Sequence, residues 1–341
     1  MLRENIVIVV GAGAGVDFNM PLGNKLLRQI NQASRMEFDI RGPSKSGCGD
    51  LNFARALHNL YRESLIDEPI LRSHHDVYQS CLGQNSIDDF IEITENKEIT
   101  TFCKIAISHL ISRSEKSSTV LKDKERANSQ YSEIRENWIT SLWRMISKNV
   151  KRSDIGKIFD GITFINFNYD RILEQQLLVL LETTYNLNFF ESSEIIKRIK
   201  IFHPYGYIGP TKNFRSNNAE YYDFGTELSG KKLFNTASNL KTYSEQVESQ
   251  LINKIRSSIS NSDVVVFLGF GYHDQNIKLL APQFGSIQYD REVYATFYNA
   301  SDNAKERTSE VLRKRIEGEV VVYDGDIQAF LDAHRQSLVR Y

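Results

Sequence analysis

The sequence contains no apolar run of about 18 residues and no signal-peptide pattern, so a soluble, cytoplasmic protein without a membrane span is expected. It also lacks an excess of charge of either sign. Lys and Arg number 42 against 43 Asp and Glu, a net of -1, which provides no basic field for nucleic acid as the main ligand. Cysteine is scarce: Cys48, Cys81 and Cys103 lie far apart with no C-x-x-C pair, which indicates neither a zinc ribbon nor a disulfide framework and leaves free thiols in a reducing compartment as the cheapest reading. What is present is ordinary globular material, 41% hydrophobic and 11% aromatic. Its 341 residues are enough to bury a large core as one domain or two.

The stretch Glu4 to Leu26 organises the rest. Ile6 to Val10 is an unbroken β-branched run, the pattern of a strand buried on both faces of a parallel sheet. Gly11-Ala12-Gly13-Ala14-Gly15 then turns the chain, and Leu22, Leu26, Leu27 and Ile30 have helical spacing after Pro21. A strand running through a glycine turn into a helix aims backbone N–H groups and a helix dipole at one spot, which suits a pyrophosphate. Two further absences narrow this. Val16 stands where the last Gly of G-x-G-x-x-G belongs, and no acidic residue closes a second strand about 20 residues on. An ordinary dehydrogenase is therefore disfavoured.

Farther along, Arg41 to Asp50 reads as a turn-rich loop. Leu51 to Val150 has helical stripes and reads as a helical insertion after the first βα unit, with Asn85-Ser86 as the cap of one helix. Within it Ser112 to Gln130, charged and poor in large apolar groups, reads as a loop or an exposed helix end. The βα alternation then returns. Gly161–Phe167, Lys200–His203, Asp263–Leu268, Val293–Tyr298 and Glu319–Tyr323 are strand candidates, with helices expected over Arg171–Leu181, Tyr243–Ile259 and Asn303–Ile316. Thr211 to Lys232 reads as a long loop. The expected architecture is a single α/β domain over 1–341, a Rossmann-like parallel sheet with helices on both faces.

In such sheets ligands bind at the carboxyl ends of the strands. The residues there are Gly11, Ala12 and Gly13; Asn166, Asn168 and Asp170; His203, Tyr205 and Gly206; and Gly269, Gly271, Tyr272, His273 and Asp274. Each has a structural explanation, Asp170 as a helix cap, His203 as a satisfied loop histidine, Gly269–Gly271 as a turn. Their coincidence at one sheet edge favours a shared site.

These residues carry a resemblance. Gly11 to Gly15 followed by Pro21 resembles the GAG-x-S-x-x-x-G-[IV]-P opening of the sirtuin family. Asn168-Tyr169-Asp170 resembles its T-x-N-x-D segment, His203 to Gly206 its catalytic H-G segment, and Gly269 to Leu280 the ribose- and base-binding loop of its prokaryotic branch. Asn85 to Phe90 is similar to a helix start from that branch. The departures are Gly15 for Ser, Asn19 for Gly, and the missing zinc module. Either His203 or Tyr205 takes the catalytic His position. His203 is preferred as base, since a phenol with a pKa near about 10 is a poor one at neutral pH.

The resemblance implies an NAD glycohydrolase that cleaves NAD, as substrate, to nicotinamide and ADP-ribose without a metal. It implies Asn168, Asp170 and His203 as catalytic residues. Gly11, Ala12, Gly13, Asp17, Asn166, Tyr205, Gly269, Gly271, Tyr272, His273 and Asp274 are the implied NAD-binding residues. It further implies an NAD-depleting effector of bacterial antiphage defence, a homo-oligomer, restrained by assembly or by a partner such as a HerA-like ATPase. The competing expectations are an NAD-dependent protein ADP-ribosyltransferase or deacylase, and a non-catalytic NAD or ADP-ribose sensor.

Overall fold

The computed structural model describes residues 2–3, 5–39, 42–120, 135–214, 220–242, 245, 247–282 and 291–339. Its centre is the expected sheet. Strands β1 (Ile6–Val10), β4 (Ile162–Asn166), β5 (Lys200–Phe202), β6 (Val264–Leu268), β7 (Glu292–Phe297) and β8 (Glu319–Asp324) form six strands in the order β5-β4-β1-β6-β7-β8. Every pairing is parallel. β1 sits at the middle, its five residues all buried, as an all-β-branched strand covered on both faces must be.

Alternation along β1 divides the core. Ile6, Ile8 and Val10 face a large cluster with the helices Gly23–Ser34, Lys97–Lys116, Trp138–Ile146 and Ile172–Tyr185, whereas Val7 and Val9 face a smaller one with Ser249–Ser260, Asp274–Leu280 and Asp302–Arg315. Helices thus cover both faces, the α/β Rossmann-like arrangement. Helices Leu51–Arg62, Glu68–Ser80 and Ile87–Thr94 add to the first layer, the last capped by Ser86, whose Oγ accepts from Asp89 N at 3.1 Å. All three cysteines are buried and free.

Three expectations need correction. The Arg41–Asp50 loop holds a short strand β3 (Gly42–Pro43), antiparallel to β2 (Phe38–Asp39). The stretch expected to run as a loop to Lys232 becomes a helix at Gly230–Asn239, because Leu233, Thr236 and Ala237 bury one face at helical spacing that its lysines and asparagines obscure. The segment from Ser112 is not an exposed helix end: the helix continues to Lys116, and Ser112 and Glu115 are buried in it. Residues 121–130 of that segment, 41 of the Arg41–Asp50 loop, 215–219 of the Thr211–Lys232 loop, and 243, 244 and 246 of the expected Tyr243–Ile259 helix lie outside the described residues, and that helix spans Ser249–Ser260. Among the described residues no helix is long and apolar enough to cross a membrane.

Candidate functional site

Register fixes the rim. Val9 pairs with both Ile165 and Phe267, and Ile165 pairs with Phe202. One residue farther along this row stand His203, Asn166, Val10 and Leu268, and the loops rise from there. Neighbouring strands lie about 4.8 Å apart, so the row spreads the candidate residues over three strand spacings.

At the centre Gly11 joins three loops. Its N–H donates to Leu268 O at 3.0 Å, while its carbonyl accepts from Ala14 N at 3.0 Å and from Asn168 Nδ2 at 3.1 Å. Gly13 N–H donates to Gly269 O at 2.9 Å. The turn itself is a short 3-10 helix, Ala12–Phe18. The glycines serve a purpose the sequence did not reveal. A Cβ on Gly11 would lie 2.6 Å from Gly269 O, and one on Gly13 2.9 Å from Gly269 Cα, so they let the β1 and β6 turns cross in backbone contact. The amides of Gly11 and Gly13 are engaged by that crossing, and Ala12 is exposed between them.

Asn166 is buried, and its Oδ1 accepts from Asn168 N at 3.1 Å. Asn168 is thereby held at both ends, backbone by Asn166 and side chain by Gly11, and its Oδ1 accepts no hydrogen bond among the described residues. Asp170 is buried, its Oδ1 accepting from Ile172 N at 3.1 Å at the start of the helix Ile172–Tyr185. Burial pushes its carboxyl up to about 7, with Glu115 and Glu174 adding to the rise and the Ile172 N–H and His203 opposing it.

That position has a consequence for stability. The folded value exceeds the ordinary 3.8, so from about pH 4 to 7 the unfolded chain gives up this proton before the folded one. Stability therefore falls as pH rises through that window and levels off above it. Asp170→Asn keeps an acceptor for Ile172 N–H and is expected to reduce this slope, most visibly as a gain at pH 8 in urea midpoints taken at both ends of the window. Asp88, likewise pushed up to about 7 by burial, keeps a slope of the same sign in the variant. An unchanged difference between the two pH values would show that Asp170 is not the titrating group.

His203 follows β5, its Nε2 2.7 Å from Glu174 Oε1, and its ring stacks on Tyr207 at 4.2 Å. It lines a cavity of about 540 Å³ at the β5 edge together with Glu174, Tyr207, Phe214 and Leu251. Neither Asn168 nor the glycine turn lines that cavity. Tyr205 lies on the other face: its ring is buried against Phe167, and its hydroxyl donates to Asn276 Oδ1 at 2.7 Å. Tyr272 is similar, stacked on Phe297 at 4.9 Å and donating to Thr296 O at 3.1 Å, with its phenol pushed up by burial. Gly271 precedes it, where a Cβ would lie 3.0 Å from the His273 ring. His273 begins the helix Asp274–Leu280, and exposed Asp274 pairs with Lys278. Asp17 is exposed, its carboxyl raised by partial burial, with the Trp138 backbone opposing the rise.

The structure therefore brings Gly11, Gly13, Asn166, Asn168 and Gly269 together, sets His203 one strand spacing beyond Asn166, and holds Tyr205, Tyr272, Asp17 and Asp274 in other contacts. Sequence reasoning overlooked Glu174, Tyr207 and the Glu115–Arg171 pair. Only Glu174 left a signal, one helical turn after Asp170. Among the described residues no group of three or more His, Cys, Asp or Glu side chains could hold a metal ion.

Residues 162–317 match the SIR2-like domain family. The SIR2-like segment holds β4 to β7 with Asn166, Asn168, Asp170, His203 and Gly269–Asp274; the Gly11–Gly15 turn precedes it. SIR2-like domains use NAD, so the match points this segment toward NAD-related chemistry. No curated protein matches the chain.

Proposed function

We propose that the chain is a sirtuin-like NAD glycohydrolase, releasing nicotinamide and ADP-ribose with water as acceptor. The observation that carries this reading is the state of Asn168. Its Nδ2 is tied to Gly11 O and its backbone to Asn166, while Oδ1 has no protein partner among the described residues. A neutral acceptor fixed at the rim suits a ribose hydroxyl, and being uncharged it does not quench the oxocarbenium-like charge that builds as the pyridinium–sugar bond breaks. The turns at Gly11–Gly13 and Gly269–Tyr272 flank it as walls for the rest of the dinucleotide. His203, beside Asn166 on the next strand, is the base in this reading. In the cell such an activity would deplete NAD, consistent with an antiphage effector restrained by self-association or by an ATPase partner.

The test is nicotinamide release by purified protein given NAD. Asn168→Ala is expected to lower kcat by about 100-fold or more, the scale of losing one preorganised polar group. A melting temperature close to wild type would separate this from unfolding. Turnover that appears only with an acylated peptide or a protein acceptor would replace hydrolysis with transfer, and binding without turnover would make the chain a sensor.

A further inference from the structure

Beside the β5 edge lies a group of ionisable side chains gathered from three parts of the chain. Glu115 comes from the helix Lys97–Lys116, Asp170, Arg171 and Glu174 from the start of the helix Ile172–Tyr185, and His203 and Tyr207 from the segment after β5. Glu115 is matched by Arg171, with both side chains at most 1% exposed. Glu174 has no such cation. Its Oε1 meets His203 Nε2 at 2.7 Å, its Oε2 is buried without a partner among the described residues, and its side chain is 6% exposed. The His203 side chain is 8% exposed, and its Nδ1 is likewise buried and without a partner among the described residues. Both residues line the cavity of about 540 Å³.

We propose that Glu174 is the positioning residue of His203: it accepts the Nε2 hydrogen, fixes that tautomer, and leaves Nδ1 as the proton acceptor. A carboxylate has no hydrogen to give, so at 2.7 Å the bond requires Nε2–H, and a neutral imidazole then carries its lone pair on Nδ1. Tyr207, stacked on the ring and pushed up to about 12 chiefly by burial, stays neutral throughout. A buried nitrogen without a partner among the described residues is an unmet acceptor, the role a reacting water or hydroxyl would fill.

This inference rests on the hydrolase reading for its chemistry. As water adds to the anomeric carbon, the carbon–nitrogen bond breaks, nicotinamide leaves neutral with that electron pair, and the water proton passes to Nδ1 and on to solvent.

The experiment pairs kinetics with nitrogen-15 NMR of labelled histidine, His203 being assigned by its loss in His203→Asn. Glu174→Gln is nearly isosteric. It is expected to lower kcat about 100-fold or more with KM little changed. In the wild type NMR should show the Nε2–H tautomer, and in the variant a mixture. Unchanged kcat in Glu174→Gln, alongside an active wild type, overturns the proposal and leaves the hydrolase reading standing. A wild type that never releases nicotinamide ends the hydrolase reading instead, and the tautomer then decides alone: Nε2–H that is lost in the variant supports the Glu174 assignment, whereas Nδ1–H in the wild type overturns it. The wild-type spectrum needs no variant, so a poorly folded Glu174→Gln does not block the test.

Discussion

Glu115→Ala is expected to destabilise the protein by about 3–5 kcal/mol, the range for removing one partner of a buried ion pair. Arg171 donates to Glu115 through its backbone N at 2.8 Å, Nε at 3.1 Å and Nη2 at 2.6 Å, and through Nη1 to Tyr222 O at 2.7 Å. Without the carboxylate a guanidinium whose side chain is 1% exposed loses its counter-charge and two acceptor contacts, and the Arg171 backbone N–H loses its acceptor as well. The damage is also topological. This pair ties the helix Lys97–Lys116 to the turn that follows Asn168 and Asp170, so losing it loosens the rim as well as the core. Urea unfolding measures the effect. The double variant Glu115→Leu/Arg171→Met should recover much of the loss, because an apolar pair of similar volume leaves no buried charge unbalanced. A single-variant loss under about 1 kcal/mol would mean that water reaches the pair and screens it as it does a surface bridge.

The same pair shows where sequence reading stops. The strands were legible because runs such as IVIVV and VVVFL carry their burial in their own composition, and the rim residues followed once the strand ends were known. Asn168 beside Gly11 was reachable in that way. Glu115 was not: it lies in a charged stretch, and what buries it is an arginine 56 residues later, a relation no local pattern contains. Tyr205 and Tyr272 illustrate a different limit. Both follow strands, but their rings join a layer with Phe167, Phe270 and Phe297 and their hydroxyls are donated internally, because a large aromatic gains more from burial than a rim position offers. The glycine turn was legible as a turn, but its packing against the Gly269 turn was not. A phosphate-approach reading and a backbone-crossing reading ask for the same residue type, and only the position of Gly269 distinguishes them.

That crossing yields the second large effect. Gly269→Ala is expected to destabilise the protein by about 3 kcal/mol or more, combining a left-handed backbone with overpacking. Gly269 has φ of +58°, where an L side chain is strained. The added Cβ would also lie 2.3 Å from Ala14 N and 2.6 Å from Gly13 C, both backbone atoms with no rotamer to yield. Relief requires the β1 and β6 turns to separate, which breaks Gly13 N–H to Gly269 O and disturbs the Gly11 carbonyl that holds Asn168. Nicotinamide release should therefore fall with the melting temperature, in contrast to Asn168→Ala, where activity falls and stability holds. Gly23→Ala is the control: nothing lies within 4 Å of its Cβ position at the first residue of the helix Gly23–Ser34, so stability should be unchanged or gain up to about 1 kcal/mol. If Gly269→Ala melts with Gly23→Ala and the wild type, the two turns are not packed backbone to backbone, and the placement of Asn168 against Gly11 loses its support.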